Sequence, residues 1–207
     1  VNALTYLKKI EETGMKPNYV AGHSLGEYNA LFAANVFDFA LGLKLVQKRG
    51  LLMNQAVAGG MAAIIGLQEP QVDEVLTKCD QVKIANYNSY TQFVISGPKQ
   101  AVDSSLALFE QAGAAMAIPL KVSGAFHSPL MANAAEQFKQ FIQTFQFNAP
   151  SIPVIANTSA KPYEGSASVV SHLSDQIVSP VLWTKSIGYL LSQQETEFVE
   201  VGPGMVL

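Results

Sequence analysis

One cysteine, three histidines and few charged side chains set the first limits on this 207-residue sequence. Cys79 alone can build neither a disulfide framework nor a cysteine-based metal site, and it fits a reducing cytoplasm. His23, His127 and His172 have no second histidine or carboxylate at the helical spacing of a His-Glu-x-x-His zinc site, so no metal is expected. Charged residues make up 14% and the net charge is -3, with no basic run to track a phosphate backbone. Nucleic acid is therefore excluded as a partner, and an anionic substrate would have to be met by a few placed cations. The longest apolar stretches, such as Ala56 to Leu67, are broken by glycine and fall short of the roughly 20 residues that span a bilayer. A soluble chain with no membrane partner is expected.

What remains is apolar: 49% of residues are hydrophobic, enough for a sizeable core in one domain, or in one domain carrying a smaller inserted one. Val1 is not a natural start, and Val201-Gly202-Pro203-Gly204 leads into what reads as a new element. The sequence is expected to be cropped at both ends.

Apolar residues at Leu4, Leu7 and Ile10, with Gly14 beyond, predict a helix over 2–12 closed by a left-handed cap. Pro17 opens a strand through Tyr19-Val20-Ala21-Gly22. His23-Ser24-Leu25-Gly26 then turns into a segment rich in helix formers. Asp38 is placed to cap a second helix running to about Val57. From Gly60 to Leu120 the order reads strand, helix, strand, strand, helix, strand, the β-α-β-β-α-β plan of a ferredoxin-like unit closed within about 60 residues. Gly59-Gly60 and Lys121-Val122-Ser123-Gly124 would be its hinges. A helix after Pro129 running to about Phe145, a strand over 153–156, helices over 169–177 and 180–191 and a strand over 197–201 complete the pattern. The expected fold is α/β: an open, largely parallel sheet with helices on both faces, formed by 1–59 and 122–207, interrupted by the small unit at 60–121.

Gly22-His23-Ser24-Leu25-Gly26 matches G-x-S-x-G, the strand-to-helix turn in which flanking glycines permit a strained serine. The Leu25 amide and the helix N-terminus would then face negative charge on a substrate oxygen. A serine hydroxyl needs a base, and His127 is the best placed, in a loop that follows the small unit and precedes a helix. His23 adjoins the serine and should point away from it; His172 lies on a surface helix. Arg49, on the second helix among Leu45, Leu52 and Met53, is either a snorkelling surface arginine or a buried one that offers a planar fork to a carboxylate.

Taken in order, seven segments resemble the malonyl-CoA:acyl carrier protein transacylases, which include fatty-acid synthase enzymes and polyketide synthase acyltransferases. They are Gly22 to Tyr28; Arg49, 25 positions after Ser24; Gly60 to Gly66; Val94 to Gly97; Gly124 to Met131; Pro180-Val181 with Trp183; and Glu200 to Gly204. The resemblance implies an α/β-hydrolase-like body with an inserted ferredoxin-like subdomain and the site between them. It implies Ser24 as nucleophile, His127 as base, Leu25 as oxyanion donor and Arg49 as the holder of the malonyl carboxylate. It also implies a dyad without a triad aspartate: the backbone carbonyl of Gln176 orients the histidine, and Asp175 takes no part. The family's second oxyanion amide, in a Gly-Gln-Gly segment, would precede Val1.

Phe126 before the histidine and Leu25 after the serine go, in polyketide members, with malonyl rather than methylmalonyl, a bulky ring crowding a C2 methyl. The implied partners are malonyl-CoA and an acyl carrier protein; no cofactor is implied, and the parent is either free-standing or one domain of a larger synthase. Two rivals stay open: an acyl hydrolase acting on carrier proteins, against which Arg49 argues, and a non-catalytic segment that docks a carrier protein.

Overall fold

The computed structural model describes residues 1–56, 59–204 and 207. Helix α1 (Asn2–Thr13) ends on Gly14 at φ 66°, as its capping glycine predicts. Strand β1 (Val20–Ala21) leads through the Gly22 to Leu25 turn into α2 (Gly26–Ala33). Helix α3 (Phe39–Asn54) starts where the Asp38 side chain accepts the Leu41 amide at 2.7 Å, a cap worth about 1 kcal/mol. The helix stops at Asn54, with Gln55 as its C-cap, short of the expected end near Val57, which itself lies outside the described residues.

Strands β2 (Gly60–Ile65), β3 (Lys83–Ser89), β4 (Gln92–Gly97) and β5 (Met116–Pro119) form an antiparallel sheet in the order β3-β4-β2-β5. Helices α4 (Glu69–Leu76) and α5 (Lys99–Gln111) cover one face. Period-two alternation sends Ala62, Ile64, Phe93 and Ile95 toward Val72, Val75, Val102 and Phe109 of those helices. The opposite face gathers Met61, Ala85 and Val94 under Phe126. The order and the two helices are those of a ferredoxin-like unit.

The rest of the chain surrounds a parallel pair, β1 and β6 (Val154–Ile155), with Ala21 opposite Ile155. The core of this part comes from α2, α3, α6 (Ala132–Ile142) and α7 (Val169–Val178): Leu31, Leu45, Phe138, Ile142, Leu173 and Ile177 are all buried there. The last helix is α8 (Trp183–Ser192).

Several expectations shift. The helix expected after Pro129 opens as a 3-10 turn over Pro129–Met131 and becomes α-helical only at Ala132. Pro180 and Val181 precede α8 rather than lying in it, because Val181 pairs with β3 instead, donating to Ala85 O at 2.8 Å and accepting from Tyr87 N at 3.0 Å. Residues 197–201, read as a strand, form none; Phe198 and Val199 stay exposed, and an extended segment becomes a strand only when a neighbour takes its backbone groups. Among the described residues the parallel sheet is thus two strands, and no helix is long and apolar enough to cross a membrane.

The two parts touch closely where the chain crosses between them. A Cβ on Gly59 would lie 2.4 Å from Ala125 Cβ, so only glycine lets the outgoing and returning connections run side by side. Phe126, next in the returning connection, packs against both the body core and the uncovered face of the small sheet.

Candidate active site

Parallel strands present their carboxyl ends on one edge, the usual place for chemistry in α/β folds. Here β1 delivers Gly22-His23-Ser24 and β6 delivers Ala156-Asn157 to that edge. Ser24 is at φ 50°, a left-handed conformation that costs a non-glycine residue about 1–3 kcal/mol. The turn is possible because position 22 lacks a side chain: a Cβ there would lie 2.1 Å from the Gly26 carbonyl. A Cβ on Gly26 would meet nothing within 4 Å, so the steric demand falls on the first glycine of the motif and not on both.

The strained turn is tied across to β6. Asn157 Oδ1 accepts the Ser24 amide at 2.7 Å, and Asn157 Nδ2 donates to Gly22 O at 2.8 Å. With the Ser24 amide occupied, Leu25 N–H at the mouth of α2 is left without an acceptor among the described residues.

Ser24 Oγ lies 2.8 Å from His127 Nε2, although 103 residues separate them. His127 is itself at φ 58° and 5% exposed. Its Nδ1 is 2.8 Å from the carbonyl oxygen of Gln176. A carbonyl can only accept, so Nδ1 carries the proton and the Nε2 lone pair faces the serine hydroxyl. The carbonyl is free for a reason written in the sequence. Four residues beyond Gln176 in α7 stands Pro180, which has no N–H to return the helical bond. The neighbouring Asp175 is exposed, and the Nδ1 partner of His127 is the Gln176 carbonyl and not its carboxylate. Burial first, then the positive charge of Arg49, push His127 from its ordinary 6.5 down to about 4, so the ring is neutral at physiological pH.

Arg49 projects from α3 to the same oxygen: its Nη2 donates to Ser24 Oγ at 2.9 Å and to Gln176 Oε1 at 3.2 Å. It is 7% exposed, its guanidinium lies 5.6 Å from the centre of the Tyr28 ring, and its Nε is buried with no partner among the described residues. This is the buried arginine of the two alternatives, and it has N–H capacity to spare for a carboxylate.

Behind these groups lies a carboxyl that sequence reasoning missed. Glu27, in the first turn of α2, is 1% exposed; its carboxylate accepts from Tyr163 OH at 2.6 Å, from the Asn157 amide at 3.3 Å and from Gln176 Nε2. Desolvation outweighs those bonds and lifts it from 4.5 to about 7. An acid at a helix start reads as a complement to the helix dipole, which hid its burial. Asn157 carried a usable signal, a lone amide just past a short apolar strand.

The other histidines are accounted for. His23 turns away from Ser24, as expected, to pair with Asn88 Oδ1 of β3 at 2.9 Å and to pack at a tilt with its ring centre 5.7 Å from that of Trp183. His172 is not a free surface residue: it meets Thr158 Oγ1 at 2.9 Å and packs on the Tyr163 ring. Phe126 precedes His127 in the chain, half-buried. A cleft of about 500 Å³ borders His127, walled by Leu76, Ile84 and Tyr87 on one side and Pro129 and Pro180 on the other. Among the described residues no three His, Cys, Asp or Glu side chains are grouped to hold a metal ion.

Known proteins share this arrangement of chain. A family model described as the acyl transferase domain matches residues 4–207. The polyketide biosynthesis malonyl CoA-acyl carrier protein transacylase PksC of Bacillus subtilis is 53% identical over 210 residues, taking in 100% of this chain and 73% of that protein. A malonyl CoA-acyl carrier protein transacylase of Burkholderia pseudomallei superposes with a TM-score of 0.94 at 46% identity, over 99% of this chain and 72% of that one. A malonyl-transacylase solved in complex with its type II polyketide acyl carrier protein does so with a TM-score of 0.95 at 35% identity, over 98% and 68%. Matched in this way along nearly its whole length, the chain belongs to the acyl transferase domain family.

Proposed function

We propose that this chain moves a malonyl group from malonyl-CoA to the phosphopantetheine thiol of an acyl carrier protein through a malonyl ester on Ser24. The observation that carries the reading is the convergence of two groups on one oxygen: His127 Nε2 at 2.8 Å and Arg49 Nη2 at 2.9 Å from Ser24 Oγ. The first can take a proton from the hydroxyl, and the second can hold an acyl carboxylate beside it.

In the proposed cycle the neutral His127 accepts the Ser24 proton as Oγ attacks the thioester carbonyl. The oxyanion is met by the Leu25 amide and the N-terminus of α2. The carbon–sulfur bond breaks, the imidazolium returns its proton to the thiolate, and coenzyme A leaves. The carrier protein's thiol then gives its proton to His127 and attacks the malonyl ester, and Ser24 is restored. General base help of this kind supplies about 10²- to 10⁴-fold. Gln176 O, accepting from Nδ1–H, leaves Nε2 as the nitrogen that takes up and returns the proton. Two thioesters and two thiols balance the cycle, so no cofactor enters it.

Phe126 is proposed to favour malonyl over methylmalonyl by its bulk. The segments 1–59 with 122–207 and 60–121 are proposed as catalytic body and ferredoxin-like subdomain. Coenzyme A chemistry and a single unpaired thiol, Cys79, support a cytoplasmic setting.

Intact-mass measurement after exposure to malonyl-CoA tests the covalent step. A malonyl adduct is expected, absent in Ser24→Ala and discharged by a holo carrier protein. No adduct, or one that survives the substitution, overturns the mechanism; dominant release of free acid to water favours the hydrolase instead.

A further inference from the structure

The Gln176 side chain stands between the buried Arg49 guanidinium and the buried Glu27 carboxyl, which becomes an opposite charge as pH rises through about 7. Its Oε1 accepts from Arg49 at 3.2 Å, while its Nε2 donates to Ser24 O at 3.0 Å and to the Glu27 carboxylate. The orientation of the amide is forced. A guanidinium has only donors, so the oxygen must face Arg49; Ser24 O and the carboxylate are acceptors, so the NH₂ must face them. Gln176 is fully buried and cannot exchange these partners for water. Among the described residues Glu27 makes no direct ion pair with Arg49, and the hydrogen-bonded link between them is this amide.

A bare pair of opposite charges in such an interior attracts strongly, and a flexible arginine would close the gap. An arginine held by Glu27 would have its fork occupied and would be drawn back from Ser24. The neutral amide satisfies both groups while keeping them apart, and it leaves Arg49 Nε unpartnered.

We propose that Gln176 is a positioning residue for acyl selectivity: its side-chain amide spaces Arg49 from Glu27, so the guanidinium stays beside Ser24 and open to the carboxylate of the incoming acyl group. This rests on the reading of Arg49 as the holder of that carboxylate. Gln176 touches no reacting atom; it acts through Arg49. Its backbone carbonyl, which orients His127, is a separate contribution that side-chain substitution leaves in place.

The test compares malonyl-CoA with acetyl-CoA as donors to a holo acyl carrier protein. In Gln176→Ala, Arg49 can swing toward Glu27, and the malonyl-to-acetyl ratio of kcat/KM is expected to fall about tenfold, the worth of one charge-assisted bond, chiefly through a raised KM for malonyl-CoA. Adding Glu27→Gln removes the competing carboxylate and should restore much of the ratio, a rescue that a merely structural role for the amide does not produce. Gln176→Leu fills the space without bonding; should the alanine variant not fold, it carries the comparison, with the ratio again expected to fall. An unchanged ratio in both Gln176 variants, equal losses for the two donors, or a double variant no better than Gln176→Ala overturns the proposal. Arg49→Ala, run beside them, separates the two levels: an unchanged ratio there overturns the carboxylate-holding reading itself.

Discussion

Ser24 and Asn157 stand 133 positions apart in the chain and meet at the peptide that carries the proposed nucleophile, the Ser24 amide donating to Asn157 Oδ1 at 2.7 Å. The same side chain donates to Gly22 O, so one amide clamps both sides of the strained turn. It also removes the Ser24 amide from any competition for a substrate oxygen and leaves that task to Leu25.

Asn157→Ala should therefore unsettle the turn rather than the chemistry alone. It leaves a buried carbonyl and a partly buried N–H without partners, a loss of about 2–4 kcal/mol at about 1–3 kcal/mol for each group less what water recovers. Urea denaturation would check this, and a loss below about 0.5 kcal/mol would show that the turn holds without the clamp. Asn157→Asp keeps the acceptor for Ser24 but loses the donor to Gly22 and sets a second carboxyl beside Glu27. Its stability should be worse at pH 8 than at pH 6.

The pH dependence of stability gives a second test, because His127 and Glu27 pull in opposite directions. His127 falls from 6.5 to about 4 on folding, mainly by burial. Between those values the unfolded chain binds a proton that the folded chain does not, so this group makes the fold gain stability as pH rises. Glu27 rises from 4.5 to about 7, again mainly by burial. Across that window the folded chain holds the extra proton, and the fold loses stability as pH rises. Each slope approaches about 1.4 kcal/mol per pH unit, and where the windows overlap they cancel. Glu27→Gln removes the opposing slope and leaves that of His127, with smaller contributions of the same sign from His23 and His172, so its melting temperature should climb from pH 4.5 to 6.5 more steeply than that of the unsubstituted protein. Parallel curves for the two proteins would show that Glu27 does not titrate there.

The parts of this site legible in sequence were those whose local context is compulsory. Ser24 follows a strand and opens a helix, and a turn so tight needs Gly22. Gln176 O was legible in principle from Pro180 four residues on, although only the resemblance singled it out. Residues whose role depends on a distant partner left little trace. Glu27 looks like any acid in a first helical turn until Tyr163, Asn157 and Gln176 close over it. The same limit explains residues 197–201: β-favouring side chains such as Phe198, Val199 and Val201 can say that a segment suits a sheet, but not that a neighbouring strand is there to receive it. The small four-stranded unit was readable because its partners lie within one short stretch of chain.

Arg49 offers a third test, with two readouts from one substitution. In Arg49→Ala, malonyl transfer should fall by about one to two orders of magnitude while acetyl transfer holds or rises, since the lost contact is to a carboxylate that acetyl lacks. Arg49→Lys should recover little, because a single ammonium that meets Ser24 Oγ and Gln176 Oε1, as Nη2 does, has no second nitrogen left to grip a carboxylate as a planar fork. Arg49 is also the second cause of the low His127 value. Removing it should move the acid limb of the kcat/KM profile for acetyl transfer to higher pH. A limb that stays in place would separate Arg49 from the base electrostatically, whatever happens to selectivity.

Phe126 is where selectivity and architecture compete. Its ring bridges the body core and the uncovered face of the small sheet, and it lies over Gly124, whose added Cβ would come within 3.2 Å of the ring. Phe126→Ser should raise the methylmalonyl-to-malonyl ratio of kcat/KM several-fold, if the ring is what crowds a C2 methyl group. It should also cost about 2–3 kcal/mol of stability, less than a fully buried Phe→Ala because the ring is only half-buried. Phe126→Leu distinguishes the two roles, since it keeps an apolar side chain between the two parts and still frees space beside His127. A leucine variant that keeps most of its stability and still accepts more methylmalonyl assigns the selectivity to ring bulk. If the serine variant loses stability while neither variant changes the ratio, Phe126 joins the two parts and does not choose the substrate.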